Sequence, residues 1–131
     1  MTEIDTKSAT VLLRAFAHPT RLAILQELSG GPKCVTDLEN LLPVRQANLS
    51  QHLALLRHTQ LVDFAQDAQT RCYYLAKPKL TRMILEELAC NEVPVSKSTE
   101  QIKAEKAKLE AKQATMHKAK QASKRTVRAR G

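Results

Sequence analysis

The 131-residue chain has little of several residue types that define other protein classes. It has no tryptophan, two tyrosines and two phenylalanines, so leucine, alanine, isoleucine and valine must form its core, as in a small helical domain. It contains no apolar run of about 18 residues, the length that a membrane-spanning helix needs. The first five residues lack the basic and then apolar pattern of a signal peptide. We therefore expect a cytoplasmic protein with no membrane partner.

Cysteine and glycine are also scarce, and their positions argue against several kinds of site. The three cysteines, Cys34, Cys72 and Cys90, form no C-x-x-C pair and no zinc-finger spacing. A structural disulfide is not expected in a reducing compartment. Residues 30–32, Gly-Gly-Pro, are typical of a helix stop, and no phosphate-binding glycine loop, Ser/His/Asp order or helix-borne metal pair is found. The sequence therefore predicts a protein that is not an enzyme.

Positive charge is confined to one end of the chain. Residues 1–95 hold ten basic and ten acidic side chains, whereas residues 96–131 hold eleven basic and three acidic ones, so the whole net charge of +8 lies in the last segment. We predict one domain over residues 1–95 and a basic, Ala/Lys-rich tail over residues 96–131. Such asymmetry favours contact with a polyanion, most often nucleic acid; the alternative is a solvated, solubilising tail.

The tail has only a thin apolar stripe. Ile102, Leu109 and Met116 are seven residues apart, without the second apolar position that a stable coiled coil needs. The last eight residues concentrate four positive charges. Because isolated helices of this kind are marginal in water, we expect a partly helical or disordered arm.

The domain has the periodicity of five helices. We expect Ser8 to cap the first, Pro19 to lie in the first turn of the second, and Thr36 with Glu39 to form a capping box for the third. The predicted helices begin and end near residues 8–17, 19–29, 36–43, 46–59 and 78–91.

Two strand-like runs interrupt the helices. Residues 61–65 and 71–75 flank a polar turn at residues 66–70, which is typical of a β-hairpin. Because Cys72 and Tyr74 alternate, we expect both to face the core. Helices followed by a two-stranded wing predict a mainly α, winged helix-turn-helix fold, with Arg71 beside the phosphates of a duplex.

The fourth helix is the candidate reading element. Leu49, Leu53 and Leu56 share one face by their spacing. The remaining positions carry short amide and hydroxyl side chains, which can pair with base edges in the major groove of double-stranded DNA. The predicted DNA-binding residues are Arg45, Gln46, Ala47, Asn48, Ser50, Gln51, His52, Arg57 and Arg71.

Four segments resemble one family of regulators. Residues 15–25 (AFAHPTRLAIL), 33–38 (KCVTDL), 48–57 (NLSQHLALLR) and 71–75 (RCYYL) are similar, in this order, to the motifs of ArsR/SmtB-type winged helix-turn-helix repressors. The resemblance covers about residues 10–90. It implies a homodimer formed by the first and last core helices, an operator of two inverted half-sites, and repression relieved by a metal, a metalloid or a thiol oxidant. The apolar faces around Leu12 and Phe16, and around Ile84 and Leu88, independently favour dimerisation.

Several positions depart from the family pattern. Cys34-Val35-Thr36-Asp37-Leu38 stands where many metal-sensing relatives carry Cys-Val-Cys-Asp-Leu, so one thiol is replaced by a hydroxyl. The last core helix, residues 79–91, has no histidine, which argues against the zinc site of other relatives. Gln60 replaces a glycine after the reading helix, and Arg45 replaces a capping serine.

The cysteines are the candidate sensing residues. In a winged helix the segment before the third helix can lie against the second wing strand, which would make Cys34 and Cys72 neighbours. Soft thiolates select soft ions, so we predict Cys34, Cys72 and Cys90 as metal ligands, with Cys90 reaching the site by a favourable fold or from the other protomer. The predicted inducer is arsenite, antimonite or a soft metal, and no cofactor is required. The alternatives are inert packing, a Cys34–Cys72 disulfide switch with Cα atoms within about 7 Å, and an architectural DNA-binding protein dominated by its tail.

Overall fold

The structure, a computed structural model, describes residues 2–130, and the side chains of residues 2–123. The chain forms two compact units, Met1–Glu92 and Val93–Gly131. The element order confirms the predicted winged helix-turn-helix with five helices in the first unit. In chain order the elements are α1 (Thr6–Phe16), α2 (Pro19–Ser29), β1 (Lys33–Cys34), α3 (Val35–Leu41), α4 (Gln46–His58), β2 (Val62–Asp67), β3 (Thr70–Leu75), α5 (Pro78–Cys90) and α6 (Thr99–Arg130).

The first helix begins earlier than the sequence pattern predicts. Asp5, and not Ser8, is the N-cap of α1, and its carboxylate accepts hydrogen bonds from the Lys7 N–H (3.2 Å) and the Ser8 hydroxyl (2.7 Å). These donors hold the pKa of Asp5 below its ordinary value, the Ser8 hydroxyl first. The predicted cap was wrong because a charged carboxylate is a stronger acceptor than a hydroxyl at the positive end of a helix.

The third helix also has a different cap. Thr36 and Glu39 do not form the predicted capping box, because α3 already begins at Val35. Cys34 has extended backbone angles and is the N-cap, and its N–H donates to the Asp37 carboxylate at 2.9 Å. The helix ends at Leu41, before Pro43, since a proline disfavours helical angles in the residue that precedes it.

The wing contains three strands instead of two. The order is β1-β3-β2, all antiparallel, and Cys34 lies opposite Cys72. The short β1 strand was missed because two residues carry no alternation pattern. On β3, Tyr73 is buried, whereas Tyr74 is exposed and Cys72 is half-buried, so the prediction that Cys72 and Tyr74 face the core was wrong. The two faces of a strand alternate, and Tyr73 occupies the inner one.

One apolar core joins the first four helices to the wing. Its buried residues are Ala15, Phe16, Ile24, Leu25, Leu28, Leu38, Leu49, Leu53, Leu56, Leu61, Val62, Tyr73 and Leu75. This core confirms that aliphatic side chains, and not aromatics, form most of the interior.

The outer faces of α1 and α5 keep apolar side chains in solvent. Val11 and Leu13 of α1 are 52% and 57% exposed, and Met83 and Leu88 of α5 are 56% and 62% exposed. Within α5, only Thr81 is fully buried. A large part of the apolar surface of these two helices is therefore not covered within one copy of the chain. The exposed side chains differ from the predicted interface, because Phe16 is buried, Leu12 and Ile84 pack against the core, and only Leu88 of the predicted set is exposed.

The second unit consists of α6 and the residues before it. Where the sequence predicts a partly helical or disordered arm, the structure has one helix, Thr99–Arg130. The Ser98 hydroxyl accepts from the Gln101 N–H (3.2 Å), the Gln101 side chain accepts from the Ser98 N–H (2.8 Å), and Lys97 pairs with Glu105 at 2.8 Å. The four positive charges of the last eight residues lie outside the described side chains. Among the described residues, none of the helices is both long and apolar enough to cross a bilayer.

Candidate nucleic-acid interface

Helix α4 presents a polar face to solvent and an apolar face to the core. Leu49, Leu53 and Leu56 are at most 1% exposed. The predicted reading residues on the opposite side are exposed; these are Arg45, Gln46, Ala47, Asn48, Ser50 and Gln51. Most of these side chains carry both hydrogen-bond donors and acceptors. They can therefore pair with the base edges in a DNA groove.

The loop before α4 sets where this face begins. Arg45 is the N-cap, with extended backbone angles, and its carbonyl accepts from the Leu49 N–H at 2.9 Å. Within the described chain its side chain makes no capping hydrogen bond. The exposed guanidinium is therefore available at the start of the helix, next to Gln46.

The end of α4 is closed by a Schellman motif. The Leu61 N–H donates to the Leu56 carbonyl, and the Gln60 N–H donates to the Arg57 carbonyl, both at 3.0 Å. This motif requires a left-handed residue after the cap, and Gln60 adopts it with φ 64°. The substitution of glycine by Gln60, noted from the sequence, thus falls on a position where a side chain is unfavourable.

Two arginines connect α4 to the wing through one aromatic ring. The guanidinium carbons of Arg57 and Arg71 lie 4.2 and 4.6 Å from the centroid of the Phe64 ring. Arg57 also pairs with Asp63 at 3.1 Å. The Phe64 N–H and then Arg57 lower the pKa of the Asp63 carboxyl. Arg57 and Arg71, two of the three arginines in the predicted DNA-binding set, are exposed, and each contacts the Phe64 ring, which holds their charges beside the reading face.

A groove separates α3 and α4 from the wing. Its volume is about 510 Å³, and one wall carries Gln46 and Ser50 while the other carries Thr70 and Arg71. Thr36 and Glu39 of α3 also line the groove. Most of the side chains that line this groove are polar, and one of them, Glu39, is a carboxylate. Such a lining suits contact with polar groups.

His52 does not lie with the other predicted reading residues. It is half-buried, its Nδ1 lies 3.4 Å from a guanidinium nitrogen of Arg21, and its ring centroid is 4.4 Å from that of His18. Burial lowers the pKa of His52, and the neighbouring His18 and Arg21 lower it further. Its side chain is thus directed towards α2. Arg21 was not predicted, because no sequence pattern shows that it reaches another helix.

The structure brings two of the three predicted metal ligands together. Cys34 and Cys72 form a disulfide across the β1–β3 pair, with their Cα atoms 4.0 Å apart. Cys90 is exposed at the end of α5. Among the described residues, no three His, Cys, Asp or Glu side chains are grouped so as to hold a metal ion. The predicted closeness of Cys34 and Cys72 is therefore present, but the expectation that no structural disulfide forms was wrong, because the β1–β3 register places the two residues opposite each other.

Comparisons with known proteins identify relatives of the first unit. Residues 18–63 match the model of the arsR family of bacterial regulatory proteins. The chain is 40% identical over 90 residues to the transcriptional activator HlyU of Vibrio cholerae, a match covering 67% of this chain and 83% of HlyU. It is 40% identical over 74 residues to a biofilm growth-associated repressor of Agrobacterium fabrum, covering 56% of this chain and 63% of that protein.

Solved structures agree with these matches. The structure of HlyU from Vibrio cholerae aligns with a TM-score of 0.61 and 38% identity, covering 69% of this chain and all of that one. NolR from Sinorhizobium fredii aligns with a TM-score of 0.60 and 34% identity, covering 68% of this chain and 94% of NolR. These relatives are named as regulators of transcription or share the fold of such regulators.

Proposed function

The chain belongs to the ArsR family of bacterial transcriptional regulators, and on that premise we propose that it is a repressor that binds operator DNA as a homodimer. The observation that carries the proposal is the division of α4 into buried leucines and exposed amides and hydroxyls. Laid in the major groove, this helix would direct Gln46, Asn48 and Ser50 at base edges, while Arg45 and Arg71 contact phosphates.

The second copy is proposed from the uncovered apolar faces of α1 and α5. Val11, Leu13, Met83 and Leu88 are each more than half exposed. Covering them with the same faces of a second copy would bury the surface and relate the two α4 helices by a two-fold axis. Two such helices, about 34 Å apart, would read two inverted half-sites.

The first test is the selection of binding duplexes from a random library, followed by footprinting of the selected duplexes. The proposal expects an inverted repeat and a large ratio of selected to random affinity, whereas an architectural protein would bind both almost equally. Gln46→Ala and Asn48→Ala should each reduce that ratio by about tenfold, since a base contact contributes about 1–3 kcal/mol. Gln26→Ala, an exposed glutamine of α2, is the matched control. An unchanged ratio in both α4 variants would remove them from base reading.

The Cys34–Cys72 pair supports a further part of the proposal, control by thiol state. Cys34 directly precedes α3, and Cys72 follows Arg71 in the wing strand β3. A bond between them ties the first helix of the helix-turn-helix to the wing. We expect the bridged form to bind the operator less tightly. The disulfide would fix the distance between α3 and the wing at a value that suits the free protein and not the DNA complex. Its formation would then release the duplex by linkage.

Oxidation by a peroxide would form this bridge in a two-electron step in which atoms and electrons balance. The two thiols lose two protons and two electrons as the S–S bond forms, and a peroxide that accepts them becomes water or water and an alcohol. Operator affinity should fall about five- to 150-fold, the usual range of a coupling between sites, on treatment with peroxide and return with a dithiol reductant. Cys34→Ser and Cys72→Ser should both bind constitutively, and Cys90→Ser should respond like the unsubstituted chain. Operator binding by the unsubstituted protein that does not change with peroxide would contradict control by oxidation.

Arsenite or antimonite is the second candidate inducer, favoured by the same adjacency of two sulfur atoms. In the reduced protein Cys34 and Cys72 can supply two thiolates, and Cys90 of a second copy a third. Titration of the reduced, operator-bound protein with arsenite, antimonite, zinc and cadmium separates this candidate from oxidation. Release by the metalloids in the presence of reductant would favour it, and release by peroxide alone would exclude it.

The basic tail is proposed to contact DNA without reading sequence. Residues 111–131 contain seven lysines and arginines and no acidic residue. All described side chains of α6 are exposed, so its described charges are open to solvent within the second unit. A segment with basic and no acidic side chains suits a phosphate backbone, which presents repeating negative charge and no particular sequence.

A further inference from the structure

Arg21 of α2 joins three helices through one guanidinium. Its Nε donates to the Ala15 carbonyl at 2.7 Å and its Nη2 donates to the Arg14 carbonyl at 3.0 Å, both near the end of α1. Carbonyls in the last turn of a helix have no partner within that helix, and Arg21 supplies one to the Ala15 carbonyl; the Arg14 carbonyl also accepts from the Ala17 N–H at 3.1 Å. Its remaining nitrogen, Nη1, lies 3.4 Å from Nδ1 of His52, in the middle of α4.

This contact is a hydrogen bond in one tautomer of His52. A guanidinium carries donors only, so in that tautomer Nδ1 of His52 keeps its lone pair and the ring proton lies on Nε2. The adjacent His18 is also held by its Nδ1, which accepts from the Thr20 N–H at 3.0 Å. In the described chain, the charged or titratable groups that act on His52 are His18 and Arg21, and both are basic. A proton added to His52 would therefore meet positive neighbours.

We propose that Arg21 is a positioning residue for α4, acting through His52, and that it holds the reading face in place only while His52 is unprotonated. Among the described side chains, His52 is the one on α4 that forms a side-chain hydrogen bond to α2. His52 directly follows Gln51 in α4. A rotation of α4 about its axis at this point would therefore displace the exposed amide side chains relative to the base edges in the DNA groove. The proposal rests on DNA binding by α4, and it replaces the predicted base or phosphate contact of His52 by an internal role.

Acid should weaken the arrangement. The pKa of His52 is lowered from its ordinary value of 6.5 by burial first, then by His18 and Arg21. The unfolded chain therefore takes up this proton at a higher pH than the folded chain. Folded-state stability from His52 is complete above 6.5 and falls as the pH drops from 6.5 through the folded pKa.

The test measures the ratio of affinities for a selected and a random duplex at pH 7.5 and pH 5.5, with the full chain. Random DNA corrects for the general gain of positive charge in acid. His52→Asn keeps an oxygen acceptor for Arg21 but cannot titrate, and His52→Leu keeps an apolar side chain without an acceptor. Arg21→Lys removes the fork that spans the three contacts. His58→Gln, at the exposed end of α4, is the control.

The ratio for the unsubstituted chain should fall from pH 7.5 to pH 5.5 by less than about tenfold, because the pKa of His52 is lowered from 6.5 and only part of the protein takes up the proton at pH 5.5. His52→Asn should keep its ratio at both pH values, and His52→Leu and Arg21→Lys should show the low ratio at both. His58→Gln should behave like the unsubstituted chain. Thermal melting by circular dichroism selects the variants that are folded at both pH values.

A pH-dependent ratio in His52→Asn like that of the unsubstituted chain would overturn the proposal. So would a normal ratio at pH 7.5 in both folded His52→Leu and Arg21→Lys. Nitrogen-15 NMR of the imidazoles decides the contact without DNA, because a protonated Nδ1 on His52 at pH 7.5 contradicts it. Equal binding of selected and random DNA at every pH would instead refute the proposed function, and the NMR result would still stand.

Discussion

Removal of residues 96–131 should separate the two proposed modes of DNA contact. The deletion lies outside the first compact unit, Met1–Glu92, which contains every buried core residue that the structure describes. It takes the formal charge of the chain from +8 to zero, because residues 1–95 carry ten charges of each sign. We expect the shortened chain to fold, to keep its preference for a selected operator, and to lose most of its affinity for random duplexes.

The size of the effect follows from the number of charges. Each phosphate neutralised by a lysine or arginine contributes about −0.9 to the slope of log affinity against log salt concentration. Residues 111–131 hold seven such side chains and no acidic ones. If all seven contact phosphates, the slopes of the intact and shortened chains should differ by about 6. Between 50 and 200 mM salt, the affinity of the intact chain should therefore fall about a thousandfold or more further than that of the shortened chain.

Fluorescence anisotropy of labelled random and selected duplexes, titrated at four or more salt concentrations, measures both slopes. A full-length chain with these seven residues replaced by glutamine is the control for length and helix content. It should match the shortened chain. Equal slopes for the intact and shortened chains would refute the assignment of random-DNA binding to the tail. Loss of operator preference on deletion would show that the tail, and not α4, carries selectivity.

Two further substitutions test the packing on which α4 depends. Leu53→Ala should lower the free energy of unfolding by about 2–5 kcal/mol, because Leu53 is 1% exposed and its truncation leaves a cavity. Leu55→Ala, on the same helix but 40% exposed, should lower it much less. Urea denaturation measures both values, and equal losses would contradict the prediction. Gln60→Gly should raise the free energy of unfolding by about 0.5–1 kcal/mol, since relief of the left-handed strain outweighs the added freedom of glycine in the unfolded chain. A lower midpoint of urea unfolding for this variant would show that its side chain contributes more than the strain removes.

The site was predictable where one residue type repeats on one helix. The 49, 53 and 56 spacing of leucines defines the buried face of α4, and the exposed face follows by exclusion. The strand β1 and the true caps at Asp5 and Cys34 were not predictable in this way. Each depends on a single extended residue or one hydrogen bond, which leaves no periodic trace in the sequence.

The contacts of the reading helix depended on tertiary structure. His52 has the same polar character as Gln51, and no local pattern shows that one is directed to Arg21 and the other to solvent. The ring of Phe64 between two arginines is equally absent from any spacing rule. Such contacts join separate elements of the chain, and their geometry is set only when those elements pack.

The sequence by itself determined the five helices and two longer strands of the first unit, the helix that offers amides to solvent, the difference in charge between residues 1–95 and 96–131, and the family. These properties are local or additive, because periodicity, charge and motif order are read along the chain. The closeness of Cys34 and Cys72 was predicted, but only the tertiary structure decided the β1–β3 register that sets them opposite each other, and that His52 is directed inward. Those outcomes depend on how separate segments pack around the same leucine core, and packing is a property of the folded chain as a whole.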